Sequence, residues 1–359
     1  LAGSVIFNDI TMSTTANIMN STIVADNGVY IEAINNAEIS SIAGALAGAK
    51  TAAIGAAVAV NKIGDHLGDR PNHTAAFIDS SRVVAEAGPI EITAQSDSVI
   101  KSISAAGAAS GKVAANGALS TNLIYNSLEA YIANSRGESG DPERLLVQCR
   151  DDLKLHATDN SVISVIAGNV AGAGKVGIGA AISVNFIGKA SQAQVDSAFD
   201  VGDSVDVDEH GAPIINEGAD EDIPDSAYEY DVPEDVVTPG GVSVYISNSE
   251  VESTSGSVEL TATANYAIFN ITAGAAIGGT AGVQGSVSVN CIFNNLLAQI
   301  SGSEVQADDS VILQTLSLER SDIPQGALQV ESDSTPVENY NGDDSDDPEY
   351  DNGGARAIS

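Results

Sequence analysis

Alternation of apolar residues with polar or small residues dominates this chain and predicts β-strands with one buried face. The pattern is clearest at residues 23–33, 83–94 and 251–262, where a central glycine interrupts it. Because successive side chains of a strand point to opposite faces, a period of two around a glycine predicts a strand, a turn and a second strand. The chain is therefore expected to be rich in short strands.

An internal repeat organises these strands. An apolar strand with an asparagine two residues before a final isoleucine occurs at residues 5–10, 58–63, 119–124, 182–187 and 287–292. The asparagines are Asn8, Asn61, Asn122, Asn185 and Asn290, at intervals of 53, 61, 63 and 105 residues. The last interval is long because an acidic segment interrupts it. Repetition at a long period indicates units that bury their apolar faces against their neighbours.

A second pattern, A-x-I-x-x-S, follows the asparagine strands. It occurs at residues 16–21, 76–81, 130–135 and 298–303, with relaxed versions at 193–198 and 244–249. The relaxed version at 244–249 restarts the repeat after the acidic segment. Each full unit therefore contains at least an asparagine strand, an A-x-I-x-x-S strand and an alternating stretch.

A block of glycine and alanine precedes four of the asparagine strands, at residues 41–57, 102–118, 165–181 and 270–286. Each glycine inside a helix costs about 1 kcal/mol relative to alanine, so the blocks are predicted to be strands. Each block is expected to hold two strands joined by a turn near Gly48, Gly111, Gly174 or Gly279. Lys50, Lys112 and Lys175 would then follow the turn on an exposed edge.

These repeats predict an all-β fold, a parallel β-helix (β-solenoid) built from about five imperfect repeats of roughly 60 residues. With about 20 residues per rung, each unit would supply two to three rungs, and the whole would form a rod on the order of 70 Å long. The solenoid is expected over residues 1–320, with an acidic insertion at about 200–240. Residues 321–359 are expected to form an acidic tail or linker, partly disordered.

The recurring asparagine has two interpretations that the sequence leaves open. In one, the side chain points inward at a corner, and the amides of successive coils form a hydrogen-bonded ladder along the axis. In the other, asparagine supplies turn geometry outside the core. Both agree with its regular position in the repeat.

Composition restricts the interior and the partners. Hydrophobic residues make up 43% of the chain but aromatic residues only 4%, with no tryptophan, so the core must consist of alanine, valine and isoleucine.

The net charge of −35 repels phosphate backbones and anionic lipids, which excludes nucleic acid as a partner. The small residues and lysines of the glycine and alanine blocks exclude a transmembrane segment. Cys149 and Cys291 are expected to be small buried residues without a bridge between them.

The units resemble the repeats of large bacterial surface adhesins of the filamentous haemagglutinin-like and leukotoxin-like type V secreted family. The likeness consists of a glycine and alanine block, a V-x-V-N-x-I strand, an A-x-I-x-x-S strand and an alternating stretch, over roughly residues 1–320. It implies a long right-handed β-helix displayed at the cell surface, engaged in adhesion, aggregation or toxicity. The pronounced acidity of this chain and its acidic insertion depart from the family pattern.

The acidic segments are the candidate ligand sites. They place several carboxylates within a few residues, an arrangement that suits the hard cation Ca²⁺. The candidate ligands are Asp220, Glu221, Asp222, Asp225, Asp343, Asp344, Asp346 and Asp347. The segments match no established calcium loop, so a solvated acidic surface without an ordered metal stays as the other interpretation.

No catalytic signature stands out, and the chain is predicted not to be an enzyme. The G-x-G-x-x-G match at residues 172–177 continues into a strand rather than a helix, which excludes a dinucleotide site. The predicted function is a structural or adhesive segment of an extracellular or cell-surface filament. Its expected partners are copies of itself or adjoining repeats of the same polypeptide stacked head-to-tail, and host or neighbouring-cell glycans or proteins. The alternatives are a carbohydrate-active β-helix enzyme and an acidic Ca²⁺-dependent structural module.

Overall fold

A computed structural model describes residues 1–64, 70–137, 144–188 and 241–319 of the chain. All regular secondary structure in these ranges is β-strand, and the strands form four sheets of five strands each. All pairing between neighbouring strands is parallel. The molecule is a parallel β-solenoid, which confirms the predicted fold class.

Each sheet collects one strand from every coil of the solenoid. The asparagine sheet contains β1 (Ala2–Ile10), β5 (Ala52–Ile63), β9 (Val113–Ile124), β13 (Val176–Ile187) and β17 (Ala281–Ile292). The short sheet contains β2 (Ser13–Met19), β6 (Asn72–Asp79), β10 (Asn126–Ala133), β14 (Gly241–Ser247) and β18 (Leu296–Ser301). The corner sheet contains β3 (Thr22–Ala25), β7 (Arg82–Ala85), β11 (Val147–Cys149), β15 (Glu250–Ser253) and β19 (Glu304–Ala307). The long sheet contains β4 (Val29–Ala49), β8 (Ile90–Ser110), β12 (Leu153–Ala173), β16 (Val258–Gly278) and β20 (Val311–Glu319).

One repeat forms one coil, so the expectation of two to three rungs per repeat is wrong. The register pairs Asn8 with Asn61 and Asn61 with Asn122, which means that one complete repeat separates neighbouring strands. A coil is this large because strands such as β4 run for 21 residues, far longer than the short strands expected. At about 4.8 Å per coil, five coils place the first and last strands of a sheet about 20 Å apart. The predicted rod of about 70 Å is replaced by a short, wide body.

The glycine and alanine blocks form two strands joined by a tight turn, as predicted. β4 ends at Ala49 and β5 begins at Ala52, and the turn recurs at the same place in the following coils. Lys50, Lys112 and Lys175 lie within these turns and are exposed. The turns stack on one another through backbone hydrogen bonds, such as that from Lys175 N to Lys112 O at 3.0 Å.

The interior narrows from one end of the coil to the other. Where the first half of the long sheet faces the short and corner sheets, the core consists largely of isoleucine, leucine and valine, including Ile92, Leu128 and Leu155. Where the second half of the long sheet faces the asparagine sheet, the core reduces to alanines such as Ala57 and Ala114. The two sheets come so close there that a Cβ on Gly55 would lie 2.5 Å from the carbonyl oxygen of Gly107. The close approach of the two sheets at this thin end of the solenoid therefore requires small residues.

Candidate functional site

A ladder of asparagine amides runs through the solenoid along its axis. Nδ2 of Asn8 donates to Oδ1 of Asn61 at 2.8 Å, and the same bond joins each later pair at the same distance. The complete series is Asn8, Asn61, Asn122, Asn185 and Asn290. The three central side chains are fully buried. Of the two interpretations of the recurring asparagine, the inward ladder describes the observed geometry.

Serines satisfy the second amide proton of the ladder. Nδ2 of Asn122 also donates to Oγ of Ser120 at 3.0 Å, and Nδ2 of Asn185 donates to Oγ of Ser183 at 3.0 Å. Asn61 uses Ser102 of the long sheet in the same way, at 3.1 Å. Buried amides lower the stability of a protein unless they find partners, and here both amide protons do. The ladder therefore joins the coils to one another without leaving a donor unsatisfied.

A second buried polar column crosses the interior between the short and long sheets. Nδ2 of Asn72 donates to Oδ1 of Asn126 at 3.1 Å, and Nδ2 of Asn126 donates to Oδ1 of Asp159 at 2.9 Å. Ser161 Oγ also donates to Oδ1 of Asp159 at 2.7 Å, and the Tyr266 hydroxyl donates to its Oδ2 at 3.0 Å. Burial raises the pKa of Asp159 to about 6, although these hydrogen bonds oppose the rise. This column has no counterpart among the residues singled out from the sequence, because its members lie on different parts of the repeat.

The A-x-I-x-x-S pattern encodes the corner between the short and corner sheets. Ala76 and Ile78 point into the core, and Ser80 adopts a left-handed conformation with φ of 47°. The equivalent residues of the other coils are Asn20, Asn134, Asn248 and Gly302, residue types that accept positive φ. The chain then turns sharply into the corner strand.

The serine that ends the pattern holds neighbouring corners together. Oγ of Ser135 accepts the backbone N–H of Ser81 at 3.2 Å and donates to the carbonyl of Ala133 at 3.1 Å. The same contact from backbone N–H to Oγ joins each coil to the next, with lengths between 3.1 and 3.2 Å. The serines involved are Ser21, Ser81, Ser135, Ser249 and Ser303. Spacing alone identified this serine, and its role is a second ladder between coils.

Aromatic side chains stack on the outer face of the short sheet. The rings of Phe77 and Tyr131 lie 4.5 Å apart, and those of Tyr131 and Tyr245 lie 4.7 Å apart, both with interplanar angles of 5°. Burial, with smaller contributions from Glu129 and Asp79, raises the pKa of Tyr131 to about 12. The faces of Tyr131 contact its two neighbours, so that ring presents its edge outward and offers no flat platform for a sugar.

Three amide side chains enter the thin end of the interior around Gly179. The side-chain oxygens of Asn116, Asn169 and Gln284 are the nearest atoms to the position that a Cβ of residue 179 would occupy. Neither amide atom of Asn169 has a hydrogen-bond partner. A larger residue at position 179 would collide with these amides, which explains the glycine.

The cysteines fit the structural role expected of them. Cys149 is buried and Cys291 is half-buried, and neither forms a disulfide. Burial raises the pKa of the Cys149 thiol to about 11 and also raises that of Cys291. Both thiols are therefore protonated at neutral pH and are poor nucleophiles.

The predicted calcium ligands lie outside the described residues. These are Asp220, Glu221, Asp222, Asp225, Asp343, Asp344, Asp346 and Asp347. The relaxed A-x-I-x-x-S version at residues 193–198 also lies outside, and β14 supplies the corresponding strand of the fourth coil. Within residues 1–64, 70–137, 144–188 and 241–319, no three His, Cys, Asp or Glu side chains group closely enough to hold a metal ion.

The chain was compared with protein-family models, curated proteins and solved structures. No protein-family model matches the chain, and neither do any curated proteins or solved structures. Across the described part of the chain, no helix has the length and apolar character needed to span a bilayer. The ladders, the ends of the solenoid and its outer faces are therefore the features that indicate a function.

Proposed function

We propose that this chain is a structural or adhesive segment of a filamentous protein, located outside the cell or on its surface. The buried polar groups support this proposal because they bind one coil to the next rather than converge on a cleft. The resemblance to repeats of the filamentous haemagglutinin-like and leukotoxin-like adhesins supports the same function and location. A solenoid of this kind is a stiff support for segments inserted between its strands, which we propose act as spacers or binding segments.

The chemical match between the first and last coils carries the proposal. Ile18 and Ile23 of the first coil occupy the same columns as Ile300 and Val305 of the last, and all four are only partly buried. The first asparagine, Asn8, is bonded to the next coil through Nδ2, and the last, Asn290, donates to Ser288 of its own strand at 3.1 Å. A further coil placed on either end would continue the same columns of side chains and the same ladders.

The partners proposed for these ends are a second copy of the chain or an adjoining repeat of the same polypeptide. Both present strands whose inner residues continue the same columns, and both bury apolar side chains on stacking. Glycans or proteins of a host or neighbouring cell are the partners proposed for the inserted segments. No observation on the described residues favours the carbohydrate-active enzyme or the Ca²⁺-dependent module, and both alternatives rest on sequence alone.

Complementation between two end variants tests head-to-tail stacking. Ile18→Glu and Ile300→Glu each put a carboxylate where stacking would bury it, so neither variant alone should form head-to-tail contacts. The Ile18→Glu chain keeps an intact last coil, and the Ile300→Glu chain keeps an intact first coil. A mixture of the two therefore contains one pair of ends that can stack. In sedimentation velocity, a 1:1 mixture of the two variants should form a head-to-tail complex that is larger than any species formed by either variant alone.

Gln299→Glu is the matched control, because it adds the same charge to the same strand on the exposed outer side. This variant should assemble like the unmodified chain, and melting curves should show that all three variants fold. Head-to-tail stacking is wrong if neither the mixture nor the unmodified chain forms species larger than those of the separate variants, or if Gln299→Glu abolishes assembly as fully as Ile300→Glu.

A further inference from the structure

The outer face of the asparagine sheet is mostly apolar, although the inner face already forms the core. In the V-x-V-N-x-I strands the inward residues are small or polar, such as Ala57, Ala59 and Asn61, while Val58 and Val60 point outward. Large aliphatic side chains are consequently exposed, with Ile178 at 46% and Val5 at 78%. A strand that is apolar on both faces normally has a partner on each side.

The exposed side chains form two ridges with a groove between them, all parallel to the solenoid axis. The groove consists only of glycine and alanine, namely Gly3, Ala56, Gly117, Ala180 and Gly285. One ridge consists of Val5, Val58, Leu119, Ile182 and Val287. The other consists of Ile54, Ala115, Ile178 and Val283. None of these residues is ionisable, in a chain whose net charge is −35.

The exposed part of this face is large enough for a protein interface. The exposed apolar columns, which extend from Ala52 to Val58 in β5, are about 24 Å long, and five strands spaced by about 4.8 Å are about 20 Å across. Val184 and Phe186 lie further along the same face and are already buried, so they do not contribute. The product, about 500 Å² per copy, gives about 1,000 Å² for two copies, the lower limit for a specific interface.

We infer that a second copy of this chain packs against the outer face of the asparagine sheet through the same face. Neighbouring outward columns are two residues apart, about 7 Å, on both copies, so a ridge of one copy fits the groove of the other. Two chains with a net charge of −35 each also approach with least repulsion over the two ridges and the groove, none of whose residues is charged. Because the columns run parallel to the axis, side-by-side pairing and end-to-end stacking use different surfaces.

The outer face of the long sheet is the competing surface, and its columns are less regular. It carries one continuous aliphatic ridge, namely Ile42, Ile103, Ile166 and Ile271. On the other side of its small-residue groove, Leu46 and Val170 alternate with Gly107 and Ala275. A groove bordered by a ridge on one side only is a poorer match for a second copy.

Charge substitutions on the two faces test the inference. Ile178→Glu places a carboxylate in the proposed interface, and Val170→Glu places one at a position exposed to 58% on the long sheet. In a background that also carries Ile300→Glu, which blocks end-to-end stacking, sedimentation equilibrium should show dimers. Ile178→Glu should weaken the dimer by about tenfold or more, because the charge would be buried, whereas Val170→Glu should leave it unchanged.

Three results would overturn the inference. The first is a background chain that stays monomeric at every concentration, and the second is a dimer that Val170→Glu weakens as much as Ile178→Glu does. The third is a monomeric chain that floats with neutral phosphatidylcholine vesicles and loses this binding in Ile178→Glu, which would assign the face to lipid. Melting curves of both variants show whether the fold is retained, since both positions are exposed. A negative result here would not count against head-to-tail stacking, because Ile300→Glu already blocks that contact in every chain tested.

Discussion

Replacing Asn122 by leucine is expected to lower the free energy of unfolding by about 2–6 kcal/mol. Asn122 lies at the centre of the amide ladder, accepts from Asn61 at 2.8 Å and donates to Asn185 at 2.8 Å. Leucine has a similar volume but leaves a donor of Asn61 and an acceptor of Asn185 unsatisfied inside the protein. Each such buried group costs about 1–3 kcal/mol. Urea unfolding of both proteins, followed by circular dichroism, measures the difference.

Asn265→Leu is the matched control for this substitution. Asn265 also belongs to an amide ladder, donating to Oδ1 of Asn160 at 2.7 Å, but on the half-buried outer face of the long sheet. Water can replace the lost hydrogen bond there, so the expected loss is below about 1 kcal/mol. Equal losses in the two variants would mean that the buried ladder contributes no more to stability than a surface one.

Replacing Asp159 by asparagine is expected to stabilise the protein above pH 6 by an amount on the order of 3 kcal/mol. Burial raises the pKa of Asp159 from 3.8 to about 6, so the folded state holds its proton more tightly than the unfolded state. The stability that this proton contributes is complete below about pH 4 and is lost as the pH rises through about 6. Asparagine stays neutral, keeps the acceptor for Asn126 and Ser161, and offers Tyr266 a donor in place of Oδ2.

Melting temperatures measured from pH 4 to pH 8 test this prediction. The unmodified protein should lose stability across that range relative to Asp159→Asn, and the two proteins should be similar near pH 4. Glu252→Gln is the control, because the Glu252 carboxylate accepts from Gln148 at 2.7 Å on the outer face, where solvent reaches it. A variant Asp159→Asn that is less stable than the unmodified protein at pH 8 would show that the ionised carboxylate is favoured inside the protein.

The sequence predicted the fold because the repeat places the same residue type at the same point of every coil. Asn8 and its four equivalents are paired with one another in register, and the serines of the A-x-I-x-x-S pattern meet at one corner. Periodicity of this kind is visible in the sequence itself and does not depend on long-range contacts. The class of fold and the positions of the turns near Gly111 and Gly174 follow from it.

Coil size and the direction of the side chains could not be predicted in the same way. The alternation at Val58 and Val60 is equally regular whichever face is buried, and only the narrow space between the sheets places alanine inside and valine outside. Strand length was likewise underestimated, because a run of small residues carries no signal for where a strand ends. The column around Asp159 escaped prediction since its members come from different strands of the repeat.

The distance between the first and last coils tests the central claim that one repeat makes one coil. Asn17 and Gln299 are exposed on the outer face of the short sheet and occupy one column, four coils apart. Spin labels on Asn17→Cys and Gln299→Cys, in a chain with Cys149→Ala and Cys291→Ser, allow the separation to be measured by double electron–electron resonance. The stacked coils predict about 20 Å between the labelled backbones, whereas three rungs per repeat would give more than about 50 Å and would contradict the structure.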